Sequence, residues 1–277
     1  MNKKDFTITT QRNDLLHVSL FGAEDLNKGR LIIFVHGFKG FKDWGFGPYL
    51  GEHFAQAGIP ALMFNFSHNG TGDSLTEFVE LEKFAENTFS LEISELNEII
   101  DAVLDGRFGH TGKISIGVLG HSRGGAIAIL TASQRKEVSS AALWASISRV
   151  DRYSQRQKSQ WREKGYLEVK NMRTKQIMRL NVSLLDDVEN NAKQLNIRNA
   201  VKNFGRPLFL AHGEQDLAVP VREADELYQL SDRNITEYFK IPATGHTFDI
   251  SHPFSGSSEK FDELLKKTYG FFDKTLK

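Results

Sequence analysis

A short apolar run from Ile114 to Leu119 passes through Gly120-His121-Ser122-Arg123-Gly124 into the helix-like stretch Gly125 to Leu130. Only a very sharp strand-to-helix turn joins two such segments in so few residues. Side chains two positions either side of Ser122 would strike neighbouring backbone, which is why glycine stands at 120 and 124. A turn of this kind lifts the serine hydroxyl above a sheet edge and sets it at the positive end of a helix. The five-residue motif is weak by itself, and the strand before it and the helix after it are the context that gives it weight. The chain must therefore build a sheet around this strand and pack a helix against its face.

The rest of the sequence supplies that sheet. Leu31 to Val35, Ala61 to Phe64, Ile114 to Leu119, Ala141 to Trp144 and Pro207 to Leu210 are continuous apolar runs. Such runs suit parallel strands covered on both faces. Between them Phe89, Ile93, Leu96, Ile100 and Val103 mark one buried face of a crossover helix. A helix over Val221 to Leu230, a strand over Ile235 to Lys240 and a last helix through Phe261, Leu264, Leu265, Tyr269 and Phe272 continue the alternation. At the other end Phe6 to Thr10 and His17 to Phe21 alternate apolar and polar residues, as an antiparallel pair at a sheet edge does. The pattern predicts an α/β fold with a mostly parallel, doubly wound sheet and an antiparallel N-terminal edge. From about residue 148 to 203 there is no strand signal, only helix-compatible stretches near Ser159 to Lys164, Thr174 to Leu180 and Asp187 to Leu195. We read this segment as a small helical cap inserted in a single domain spanning residues 1–277, a length that suits one α/β domain.

Charge and cysteine content narrow the chemistry. The 35 basic and 35 acidic residues cancel, so no global field favours nucleic acid or an anionic membrane as partner. Locally, Arg152 to Arg179 holds nine Lys or Arg against two Glu, which reads as a solvated face or as a funnel for substrates carrying a carboxylate or phosphate. The absence of cysteine removes disulfides, thiolate metal sites and a thiol nucleophile, leaving serine as the covalent catalyst. The charged opening Met1 to Phe6 is not followed by an apolar segment of signal-peptide length, and no run approaches the roughly 18 apolar residues of a membrane span. A soluble, cytoplasmic protein is expected, with the oligomeric state open and a homodimer allowed.

A serine hydroxyl needs a base within hydrogen-bond reach, and the base needs an acid to fix its tautomer. Ser122, Asp216 and His246 occur in that order along the chain. Asp216 lies just beyond the apolar run at 207–210, in His212-Gly213-Glu214-Gln215-Asp216-Leu217-Ala218-Val219-Pro220, at the strand edge where open α/β sheets carry their sites. Asp151 and Glu214 are rival acids; Asp216 is preferred because its Asp-x-x-Val-Pro ending leads directly into the next helix. His246 follows the final strand in Thr244-Gly245-His246-Thr247, with His252 as the fallback base among nine histidines. Negative charge developing on a substrate carbonyl must meet fixed donors, and two backbone amides are candidates. These are Arg123 N–H beside the serine and Phe38 N–H in His36-Gly37-Phe38-Lys39-Gly40, after the first parallel strand.

Phe38, Phe41, Trp44 and Phe46 cluster near that loop and are candidates to line an acyl or aryl pocket. Trp44, with Trp161 and Tyr166 in the cap, is a candidate substrate contact. His246, Asp249 and His252 have a spacing that suggests metal ligands, but Pro253 breaks the helix that would align them, and no metal is expected. Gly70-Thr71-Gly72-Asp73 lacks the lysine of a phosphate loop and the third glycine of a dinucleotide fingerprint, so no nucleotide cofactor is expected either.

Taken together, His36 to Gly40, Gly120 to Gly125, His212 to Pro220 and Gly245-His246 resemble the oxyanion, nucleophile, acid and base motifs of the α/β-hydrolase superfamily. They span nearly the whole chain. Within that superfamily the short cap after the sixth strand is most similar to the small-cap bacterial serine carboxylesterases that include feruloyl (cinnamoyl) esterases. The resemblance implies hydrolysis of a small-molecule ester through an acyl-enzyme, without metal or organic cofactor. Dienelactone hydrolases, a neighbouring group, use a cysteine that this chain lacks. A serine aminopeptidase or thioesterase would use the same machinery, and an inert binding protein would keep the fold without the chemistry.

Overall fold

The computed structural model describes residues 3–277; Met1 and Asn2, which open the charged N-terminal stretch, lie outside the described residues. Eight strands form one sheet: β1 (Lys3–Thr9), β2 (Leu15–Phe21), β3 (Arg30–Val35), β4 (Ala61–Phe64), β5 (Ser115–His121), β6 (Val138–Trp144), β9 (Leu208–Gly213) and β10 (Thr236–Ile241). Their spatial order is β1-β2-β4-β3-β5-β6-β9-β10. β1 pairs antiparallel with β2, and β2 with β4, while every other neighbour is parallel. This is the mostly parallel sheet with an antiparallel N-terminal edge that the apolar runs predict.

Side chains of a strand alternate between faces, so a run that is apolar throughout feeds two cores. Leu31, Ile33 and Val35 of β3 join one cluster, and Ile32 and Phe34 join the other. The other parallel strands divide likewise, Leu143 going to the first core and Trp144 to the second. Helix α3 (Phe89–Leu104) covers the first face with Leu96, Ile99, Ile100 and Val103, beside α4 (Arg123–Ala132), which is buried throughout. On the second face α1 (Gly47–Gln56) contributes Leu50 and Phe54, and α9 (Glu259–Thr275) contributes Phe261, Leu264, Leu265 and Phe272. Each such side chain stabilises the fold by about 1.5–3 kcal/mol relative to exposure. Short α2 (Leu81–Ala85) and α8 (Arg222–Leu230) complete the main body. Among the described residues, no helix is long and apolar enough to cross a membrane.

The segment between β6 and β9 holds α5 (Gln155–Lys164), α6 (Val182–Asn190) and α7 (Ile197–Lys202), as expected of a helical cap. It also holds an antiparallel hairpin of β7 (Tyr166–Lys170) and β8 (Ile177–Asn181). The stretch Thr174 to Leu180, read as helical from sequence, is therefore mostly strand. Met178 and Leu180 turn inward while Ile177 and Arg179 face out, a two-residue period. The hairpin turn is closed by Asn171 N–H to Gln176 O (2.9 Å) and Lys175 N–H to Asn171 O (2.8 Å), with Lys175 at φ 64°. Gln176 Nε2 donates to Phe78 O (3.0 Å) and Lys39 Nζ to Lys170 O (3.1 Å), which dock the turn over the carboxyl edge of the sheet.

Candidate active site

β5 ends at His121 and α4 begins at Arg123, so Ser122 makes the whole turn, at φ 58° and ψ −121°. A non-glycine residue there costs on the order of 1–3 kcal/mol and persists only where its surroundings fix it. Ser122 N–H is held by Trp144 O (2.8 Å). A Cβ at Gly120 would lie 2.2 Å from Gly124 O, and one at Gly124 would lie 2.2 Å from Val35 O. The two glycines are therefore required by close backbone approach. Ser122 Oγ itself has no hydrogen-bond partner among the described residues.

The loop after β3 runs beside the serine: a Cβ at Gly37 would sit 3.0 Å from Ser122 Cβ. His36 anchors this loop. Its Nε2 accepts Phe66 N–H (3.3 Å), so the proton is on Nδ1, which donates to Gly37 O (3.0 Å). Burial holds its pKa down at about 4, so the ring is neutral. Neither Phe38 N–H nor Arg123 N–H donates to any acceptor among the described residues. The Arg123 side chain, in contrast, is buried, bonded through Nε to Glu92 (2.8 Å) and stacked on Phe89 with its guanidinium carbon 3.9 Å from the ring centre.

Asp216 lies in the turn after β9. Its Oδ1 accepts Ala218 N–H and Val219 N–H, both at 2.8 Å, and its Oδ2 accepts His246 Nδ1–H at 2.7 Å. Burial alone would raise its pKa. Hydrogen bonds from His212 and His246, the charge of His246 and the Val219 amide outweigh that effect and hold the carboxyl well below its usual range. His212 is fully buried, with Nε2 2.7 Å from Val219 O and 3.3 Å from Asp216 Oδ2, so its Nε2–H braces the turn that carries the acid.

His246 follows β10, and its backbone is tied to the strand of the serine: His121 Nε2–H donates to His246 O (2.8 Å), with the two rings 4.8 Å apart. Burial, with His246 close by, keeps His121 neutral at a pKa of about 3. Ser122 and His246 face the same cavity of about 350 Å³, which Phe34, Phe38, Phe41, Trp44 and Phe46 wall on one side. Asn171, Met172 and Arg173, from the hairpin turn, also line it.

Other sequence candidates lie elsewhere. Trp161 is 1% exposed, with Nε1 spent on Leu180 O (2.8 Å), and Tyr166 is held between Lys164 and Arg179; neither lines the cavity, which corrects their reading as substrate contacts. Asp151 pairs with Lys158 (2.5 Å), Glu214 is exposed, and His252 Nδ1 accepts Gly45 N–H (2.9 Å). Asp249 accepts from Thr244 Oγ1 (2.8 Å), so His246, Asp249 and His252 point to three different partners. Among the described residues the one grouping with metal-ligand spacing is Asp14, His68 and Glu95, outside this cavity. Ser67 N–H and Oγ–H already hold the two Glu95 oxygens, and Ser67 Oγ also meets His68 Nδ1 (2.7 Å).

His36 and His121 set an acid limit on stability. An unfolded histidine gains its proton below pH 6.5, whereas the folded chain keeps these two neutral down to about 4 and about 3. Their contribution is complete above pH 6.5 and is lost as pH falls through that window, at about 1.4 kcal/mol per pH unit for each group. Denaturant unfolding between about pH 6 and 4 is expected to show His121→Gln flattening the profile by one proton. An unchanged slope would overturn the assignment.

The sheet order, the strained serine between β5 and α4 and the two loops beside it define an α/β hydrolase. Residues 83–277 match the family model described as the prolyl oligopeptidase family, and the chain belongs to that family, as a serine hydrolase of the α/β fold. No curated protein sequence matches it significantly. Among solved structures it is similar to a putative hydrolase from Agrobacterium vitis S4 (15% identity, 98% of this chain and 99% of that chain, TM-score 0.75). It is also similar to the esterase domain of a Rhodothermus marinus protein (17% identity, 99% of each chain, TM-score 0.67). A third is Est1E from Butyrivibrio proteoclasticus with ferulic acid bound (17% identity, 98% of each chain, TM-score 0.72). At these identities the likeness is one of fold, extended over the inserted segment as well as the sheet.

Proposed function

We propose that the chain hydrolyses carboxylic esters through an acyl-enzyme on Ser122, with His246 as base and Asp216 as its orienting acid. One observation carries the reading: Ser122 and the His246 held by Asp216 line one largely apolar cavity, while the Phe38 and Arg123 amides bond no acceptor among the described residues. With Nδ1–H donated to Asp216, His246 presents Nε2 as the free base. No hydrogen bond joins Ser122 Oγ to His246 among the described residues, and catalytic hydrogen bonds often form only once substrate is bound. His246 takes the Ser122 proton as Oγ attacks the ester carbon. Phe38 and Arg123 amides receive the oxyanion. The carbon–oxygen bond to the alcohol breaks, and the alcohol leaves with the proton from His246. Water then repeats the sequence, releasing the acid and restoring Ser122.

The esterases among the structural neighbours favour an ester over a peptide amide, whereas the family name favours the amide. The cavity is walled by aromatic rings and, among the described residues, no carboxylate lines it to receive a peptide amino terminus, which supports the ester. A fluorophosphonate probe is expected to label Ser122 covalently, and p-nitrophenyl esters to turn over faster than the matching p-nitroanilides. An unlabelled Ser122 would leave the fold as a binding module, and faster anilide turnover would make the protein an aminopeptidase.

A further inference from the structure

Several cations of the inserted segment are paired with carboxylates. Arg152 pairs with Glu223 (2.6 Å), Lys158 with Asp151 (2.5 Å) and Glu189 (3.2 Å), and Arg162 with Asp186 (2.8 Å) and Glu189 (2.5 Å). Two cations that line the cavity are not. Lys39, beside the Phe38 amide, and Arg173, on the hairpin turn, have no carboxylate within salt-bridge distance among the described residues. Lys39 Nζ donates to the Lys170 carbonyl (3.1 Å) and lies over Phe38, 5.4 Å from the ring centre, and the Arg173 guanidinium lies over Phe41 and Phe78, 5.7 and 5.8 Å from the ring centres. Among the described residues no Asp or Glu lines the cavity, and its buried histidines, His36 and His121, are neutral. Partial desolvation lowers the pKa of Lys39 and, more weakly covered, of the exposed Arg173, and neither has a counter-charge among the described residues.

Resting on the esterase reading above, we infer that the natural substrate is an ester with an apolar body and an anionic group, bound with that group between Lys39 and Arg173. The aromatic wall takes the apolar body. The two cations, one from the oxyanion loop and one from the hairpin turn, favour an anion at the cavity mouth and draw it in at long range. Asn171 adds an amide to the same side.

The test uses ester pairs that differ only in charge: p-nitrophenyl hydrogen glutarate against p-nitrophenyl methyl glutarate, with the charge on the acyl side, and 4-acetoxybenzoate against its methyl ester, with the charge on the leaving side. In at least one pair the full chain is expected to prefer the anion by about fivefold or more in kcat/KM, the preference shrinking in high salt. Arg173→Gln should lower the anion-to-neutral ratio several-fold and Arg173→Glu lower it further. Arg173 is exposed on its turn, and thermal unfolding checks each variant. Lys175→Gln, in the same turn but outside the cavity lining, should keep the ratio. A wild-type ratio near one in both pairs, a ratio unmoved by Arg173→Glu, or an equal fall in Lys175→Gln overturns the inference while leaving the esterase reading standing. Hydrolysis that survives Ser122→Ala, or the absence of both ester turnover and Ser122 labelling, overturns the reading beneath it.

Discussion

Ser122→Ala is expected to lower kcat for p-nitrophenyl acetate by at least about 10⁴-fold while leaving the chain folded. The size follows from what the hydroxyl does: without Oγ there is no acyl-enzyme, and only the amides and the cavity remain to favour direct attack by water. The fold should tolerate the change because Oγ has no hydrogen-bond partner to orphan, and alanine keeps the Cβ against Gly37. The main-chain bond from residue 122 to Trp144 O persists. Steady-state kinetics and a melting curve on the same preparation check both halves. Turnover close to wild type would move the chemistry off this serine.

Asp216→Asn should be nearly as damaging, on the order of 10⁴-fold in kcat. The amide oxygen can still accept Ala218 and Val219 N–H at the Oδ1 position. Its NH₂ then faces His246 Nδ1 and forces the proton onto Nε2, so the base presents a donor to Ser122 where it needs a lone pair. The same NH₂ faces the His212 Nε2–H across a 3.3 Å gap, setting donor against donor in a buried site. A modest fall in melting temperature should therefore accompany the loss. A fall of less than about tenfold in kcat would mean that Asp216 does not set the tautomer of His246.

The sheet was legible because strands covered on both faces must be apolar at every position, and few other structures impose that on five short runs. The positions of Ser122, Asp216 and His246 at the carboxyl edge followed from the same reading. The β7–β8 hairpin was not legible: Ile177, Met178 and Leu180 fit a period of two or of 3.6, and five residues are too few to separate them. Trp161 and Tyr166 were chosen for aromatic character, but aromatic side chains in a small insert are first needed for its own core. Arg173 was hidden among nine cap cations that look alike in sequence, and only their placement shows that it is the one lining the cavity. His121 and His212 were weighed only as rival bases. Their signal was their position, one immediately before the serine and the other four residues before the aspartate, where a ring N–H can brace a loop.

The hairpin turn that roofs the cavity closes its backbone hydrogen bonds on itself, through Asn171, Lys175 and Gln176, and its strands pair only with each other. Residues 172 and 173 can thus be exchanged without re-registering any strand of the main sheet. This part of the cavity wall is free to vary while the sheet that carries Ser122 stays as it is.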